Sequence, residues 1–214
     1  MDVKPDQKKR KKPKGTFIER ARRKQILEIA IEEIESKGFK NTTIQQIANK
    51  ANISKGVIYY HFSGLEELLS NIWALLIDEL FTYRKQRVDE QHSAEGKLNT
   101  YVSANFQFFK QNQNKLTALF RMGIDLNTAD FKTYPWSIEV NQRCFDYLKS
   151  LLTEGQKNGE FRRFSTEIIA PIIQGAIDGL CLQWVSSPEL IDLEACIDML
   201  LEIIKQYTAV ETTR

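Results

Sequence analysis

The sequence is poor in cysteine, histidine, proline and glycine, with 3, 2, 5 and 10 of them in 214 residues. Each shortage excludes something. The three cysteines, Cys144, Cys181 and Cys196, form no C-x-x-C pair, and their odd number argues against a disulfide framework, so a reducing cytoplasm is the expected setting. The two histidines, His61 and His92, lie far apart, and no metal-ligand spacing, Walker loop or G-x-S-x-G elbow occurs. Asp178 and Cys181 stand three apart with no histidine placed to activate the thiol, so packing is the better reading of Cys181. No enzyme, metal or cofactor is expected. Long hydrophobic runs are missing too. The longest, Ile72 to Ile77, falls far short of the ~18 residues of a membrane helix. The polar, basic N-terminus lacks the apolar stretch of a secretory signal.

Charge is abundant but unevenly placed. Residues 1–62 hold 15 basic and 7 acidic side chains, a net of +8; residues 63–214 hold 15 and 21, a net of −6. A basic head on an acidic body suits a polyanion-binding module, although a solvated lysine tail on an ordinary domain has the same arithmetic. Seven of the first fifteen residues are Lys or Arg without apolar periodicity, which predicts a disordered basic tail over 1–15.

From residue 16 onward the chain reads as all-α. Thr16 with Glu19 and Thr43 with Gln46 have capping-box spacing, Ser54 can cap a helix over 55–61, and Ser63 with Glu66 opens a longer one reaching about residue 90. Gly38 stands where the first helix stops. Helical signals continue over 95–111, 114–126, 136–157, 166–186 and 189–208, broken by Gly159, Ser165 and Ser186-Ser187-Pro188. No segment alternates with period two for long enough to suggest a sheet.

Residues 43–62, TIQQIANKANISKGVIYYHF, place two short capped helices and a turn within one compact stretch. Ile44, Ile47, Ala48, Ile53 and Ile58 are spaced to pack them together, and Asn52 sits where a left-handed turn is expected. This is the pattern of a helix-turn-helix, whose second helix enters the major groove; an ordinary helical hairpin shares it. The exposed side of the second helix favours the former. Ser54, Lys55, Gly56, Tyr59, Tyr60 and His61 crowd it with groups suited to phosphates, and Gly56 lets a partner approach closely.

The span from Arg23 to Trp73 resembles the DNA-binding domain of the tetracycline-repressor (TetR) family of bacterial transcription regulators. The matching features are Ala30 with Gly38-Phe39, Thr43, Ile47-Ala48, the run Ala51 to Gly56, Tyr59-Tyr60-His61-Phe62 and Glu66-Glu67-Leu68-Leu69. The resemblance implies that Thr43, Ser54, Tyr59 and His61 touch phosphates. It implies that Gln45, Lys55, Gly56 and Tyr60 face base edges or sugars. Val57 stands where the family often has Thr, leaving only a thymine-methyl contact, and Leu65 where it usually has Lys. By the same resemblance, residues 16–62 form the DNA-binding domain and 63–214 an effector-binding and dimerisation domain.

In the body, aromatic side chains are numerous. Phe106, Phe109, Phe120 and Trp136, with Cys144 and Asp178, are the candidates to line a site for an apolar or aromatic effector, although aromatics on helices are more often core. Gly175 and Gly179 lie on one face with Leu182, and Leu193, Ile197, Leu200 and Ile204 form a three-four seam; two such helices from each of two chains would make a four-helix dimer interface. The combined expectation is a cytoplasmic homodimeric regulator, a repressor released from a palindromic double-stranded operator by a small effector, with no membrane partner. The alternative is a constitutive or sequence-tolerant DNA binder.

Overall fold

The computed structural model describes residues 16–117 and 135–210, without the side chains of Phe39, Glu66, Glu139 and residues 135–137. The basic tail and the expected helix over 114–126 beyond residue 117 therefore lie outside the described residues. Among those described, no strand occurs.

Helix α1 (Phe17–Lys37) starts on the expected capping box: the Thr16 hydroxyl accepts from the Glu19 amide, and the Glu19 carboxylate accepts from the Thr16 amide. It stops at Gly38, whose φ of 77° is open to glycine and strained for other residues. A 3-10 turn (Phe39–Asn41) leads to α2 (Ile44–Lys50), which opens on the Thr43–Gln46 capping box. Helix α3 (Lys55–His61) follows a turn in which Asn52 takes φ 53°, the left-handed conformation expected of it. Helix α4 (Leu65–Asp89) is 25 residues long, or ~37 Å at ~1.5 Å per residue. Its N-cap is Gly64, not the expected Ser63, because the Ser63 amide is taken instead by the Glu67 carboxylate at 2.8 Å. Helix α5 (Ala94–Gln111), a helical stretch over 113–117, and helices α6 (Pro135–Lys157), α7 (Thr166–Ser186) and α8 (Leu193–Thr208) complete the described fold. Helix α8 begins later than the expected residue 189, at a cap where Asp192 accepts from the Ala195 amide.

Two apolar clusters organise these helices. The first joins Ile26, Ala30 and Ile34 of α1 to Ile47, Ala48, Ile58 and Phe62, and then to Leu68, Ile72 and Leu76 on the first half of α4. Each fully buried Ile or Leu contributes ~1.5–3 kcal/mol, so α4 is firmly attached to the head. The second cluster joins Leu98, Tyr101 and Phe106 of α5 to Leu148 and Leu152 of α6, Ile173 and Ile177 of α7, and Ile197 and Ile204 of α8. Helix α5 serves both, since Phe106 enters the second cluster while Phe108 packs on the first.

By length and composition α7 is apolar enough to cross a membrane, although no uninterrupted apolar run announced it, because Gln174, Asp178 and Gln183 are sparse interruptions. About a third of it is buried within the chain, and Ile168, Ile172 and Leu182 are exposed on its outer side.

Candidate nucleic-acid interface and inner cavity

The outer face of α2 and α3 follows from how the inner face is used. Ile47 and Ile58 are fully enclosed, which turns the opposite side of the two helices outward: Gln45, Ser54, Lys55, Gly56, Tyr59 and Tyr60 are all exposed, with Val57 and His61 half-buried at the edge. Thr43 is also exposed, with its hydroxyl engaged by Gln46. Gln45 donates to Asn49 at 2.7 Å, a contact at the surface that must open before either side chain meets a base. Ser54 caps α3 by its backbone only; its hydroxyl makes no capping bond. A Cβ on Gly56 would meet nothing nearer than the Ser54 hydroxyl at 3.6 Å, so its own chain does not demand a glycine there.

Tyr60 has a partner the sequence did not suggest. Its hydroxyl donates to the Glu19 carboxylate at 2.7 Å, which ties the recognition helix to the start of α1. That bond lowers the Glu19 pKa and raises that of Tyr60. His61 meets the Tyr60 ring edge-on at 5.0 Å. Arg23 fastens the head from behind. It stacks on Phe62 at 4.2 Å, donates to the His61 carbonyl, to Asn71 at 2.8 Å and to Glu67 at 3.4 Å, and so links α1 and α3 to α4. Glu33, covered yet near the surface, accepts from Lys37 at 2.7 Å and Lys50 at 3.2 Å, which holds its pKa below the usual carboxylate value.

Inside the body lies a polar chain that sequence reasoning missed in its most important member. Arg84 is buried in α4, with its guanidinium facing the rings of Tyr101 at 4.2 Å, Phe81 at 4.8 Å and Tyr147 at 5.6 Å. It donates to Asn105 at 3.3 Å and approaches the Cys144 sulfur at 4.0 Å; its Nε has no acceptor among the described residues. Beyond it, Tyr101 donates to Gln174 at 2.6 Å, and Gln174 donates to Asp178 at 2.8 Å. No carboxylate pairs with Arg84 among the described residues, although Asp178 is near enough to feel its charge. Ring faces return ~0.5–2 kcal/mol each, against several kcal/mol for burying an ion. A signal for this was present: Leu76, Leu80, Arg84 and Val88 form a four-residue stripe, all buried, with a cation where a hydrophobe belongs.

The ligand-site expectations divide accordingly. Phe106 and Cys144 are buried and Phe109 half-buried; Phe120 and the side chain of Trp136 lie outside the described residues. Desolvation pushes up the thiols of Cys144 and Cys181, keeping both protonated, with Cys181 packed in the core. Asp178 retains solvent access within one chain, yet crowding by the packed helices still raises its carboxyl. A cavity of about 330 Å³ opens beside this network, lined by Phe81, Arg84, Lys85, Arg143, Asp146 and Tyr147.

On the outer helices, Leu193, Ile197 and Ile204 are buried by their own chain and cannot form an exposed seam. The reason is that the three-four stripe of α8 faces α5 and α7. The exposed apolar positions of α8 are instead Met199, Ile203 and Tyr207, with Leu200 half-buried. On α7, Gly175, Gly179 and Leu182 do reach the outside, and nothing lies within 4 Å of a Cβ built on either glycine.

Comparison with known proteins agrees with this architecture. Residues 26–72 match the family model described as bacterial regulatory proteins, tetR family, and residues 74–206 match that of the YsiA-like protein C-terminal region. The two segments meet inside α4. A fatty acid metabolism regulator protein from Bacillus subtilis is 23% identical over 181 residues, spanning 84% of this chain and 92% of the relative. The crystal structure of FadR from Bacillus subtilis in complex with stearoyl-CoA superposes with TM-score 0.68 at 23% identity, covering 85% of this chain and 96% of that one. A transcriptional regulator from Saccharomonospora viridis in complex with choline gives TM-score 0.74 at 20% identity, covering 90% and 100%. With both segments matched, the chain belongs to the TetR family of bacterial transcription regulators.

Proposed function

We propose that the protein is a homodimeric, cytoplasmic repressor whose α2–α3 unit reads a palindromic operator and which an acyl-chain effector releases. The observation that carries this reading is α4. One end is packed into the head core through Leu68 and Ile72, and the other presents Arg84 to the body cavity, so one rigid element borders both sites. The regulators of fatty acid metabolism among its relatives, one of them bound to stearoyl-CoA, support an acyl effector.

In this reading Thr43, Ser54, Tyr59 and His61 lie on phosphates, and Gln45, Lys55, Gly56, Val57 and Tyr60 face bases and sugars. Residues 16–62 bind DNA and 63–214 bind the effector and a second copy. The dimer forms on the exposed sides of α7 and α8, through Ile172, Gly175, Gly179, Leu182, Met199 and Ile203. The open glycines let a facing helix approach closely, and a contiguous apolar face of this kind is what an obligate interface covers. Two-fold proteins match two-fold operators, because one short recognition helix specifies few base pairs.

The test is selection of duplexes from random DNA by the purified protein. Enrichment of an inverted repeat, its half-sites about one or more DNA turns apart, is expected. Recovery of unrelated sequences with similar affinity would identify a sequence-tolerant binder instead.

A further inference from the structure

The buried cation at Arg84 has ring faces and Asn105 about it but no carboxylate partner among the described residues. Burying an unpaired guanidinium is costly, and a methionine or leucine would continue the Leu76–Leu80–Val88 stripe without that cost. The other cations at the cavity are occupied: Arg143 pairs with Asp78 at 3.4 Å and Lys85 with Asp89 at 2.5 Å. Arg84 alone among them has no carboxylate partner among the described residues, and its Nε is enclosed without an acceptor. At about 330 Å³ the cavity it lines is at the small end for ligand pockets, of a size for a headgroup rather than a long chain.

We propose that Arg84 is the anchor for an oxyanion, a carboxylate or phosphate, carried by the effector, and that this protein therefore selects anionic amphiphiles over neutral ones of the same chain length. The proposal rests on the effector reading above and names the headgroup that it leaves open. Among the described residues the guanidinium bonds only through Nη1, to Asn105 and Cys144, and leaves Nε unused, so it keeps donors for an oxyanion, with the rings of Phe81, Tyr101 and Tyr147 packed about it. Those same rings do not form a site for a quaternary ammonium such as choline, because the guanidinium already occupies their faces and would repel a second cation. Arg84 sits on α4, 19 residues beyond Leu65, so an anion drawn to it acts on the helix that carries the head.

The experiment is titration of the operator-bound protein with palmitate, palmitoyl-CoA and the neutral hexadecanol, followed by operator release and by direct calorimetry. At least one of the two anionic ligands should bind ten-fold or more tightly than hexadecanol, and which one does so identifies the oxyanion. Arg84→Met should remove that preference while hexadecanol binding stays equal or improves; Arg84→Lys should restore part of it. Where Arg84→Met does not fold, Arg84→Gln carries the same test, and an anion preference retained in either folded variant overturns the role of Arg84. Equal affinity for anionic and neutral chains, with operator release by both, would overturn the role of Arg84 and leave the effector reading standing. Absence of binding by all three would overturn both.

Discussion

Between α2 and α3 the interior is built from Ile47, Ala48, Ile58 and Phe62, and the polar side chains stand outside. Where α4, α5 and α6 meet, the interior instead encloses Arg84 and Asn105, with Gln174 of α7 beyond them. The first arrangement is that of a rigid part whose chemistry is offered on its surface to a large, flat-sided polyanion. The second keeps its polar groups inside, where a low dielectric strengthens each contact and makes each missing one expensive. The difference teaches where to look for each partner: DNA on the outer face of the head, a small ligand at the under-satisfied point of the body. Helix α4 belongs to both regions, apolar toward the head and interrupted by a cation toward the cavity.

The comparison breaks most forcefully if the head is hollowed from within. Ile58→Ala removes a fully buried side chain and should cost ~2–5 kcal/mol of stability in urea unfolding, with operator binding lost in parallel. A cost below ~1 kcal/mol would mean that the head core is looser than its packing indicates. Changing the outer face should do the reverse. Lys55→Ala should weaken operator binding by ~1–3 kcal/mol and relax one operator position, with stability altered by less than ~0.5 kcal/mol. Unchanged preference in mismatch competition would remove Lys55 from the base-reading set.

The smallest effect concerns the ion triad behind α2. The pKa of Glu33 lies below the 4.5 of a free glutamate, so its contribution is complete above that value and is lost as pH falls through the lower folded one. The gap in melting temperature between wild type and Glu33→Gln should therefore be present at pH 7 and close in acid. It should also be modest, as for any ion pair near the surface. A gap that does not narrow at all as pH falls would place the role of Glu33 in packing rather than charge.

The head was the more legible of the two regions in the sequence because its signals are local. Thr16–Glu19 and Thr43–Gln46 satisfy helix amides three residues away, Gly38 and Asn52 take backbone angles few other residues accept, and all four stand as read. Ser63 misled by one residue, since either Glu66 or Glu67 could reach back and the second does. Tyr60 reads as an exposed side chain facing bases or sugars; its bond to Glu19 joins residues 41 apart, which no spacing rule reaches. The seam of Leu193, Ile197 and Ile204 was correctly seen as apolar, but periodicity cannot tell a face covered by the same chain from one left for another. Arg84 stands beside Lys85 and Arg87 in the sequence, and what sets it apart is burial supplied by α5 and α6, which are distant in sequence.

Coupling through α4 between ligand in the body and DNA on the head can be measured by calorimetry. Palmitoyl-CoA is titrated into the free protein and into the protein saturated with its selected operator. Linkage requires each partner to weaken the other by the same factor, and a coupling of ~1–3 kcal/mol would make a working switch. Ligand affinity should be roughly 5- to 150-fold lower in the operator complex. Tight ligand binding of equal affinity in the two titrations would contradict the coupling and leave two independent sites on one chain.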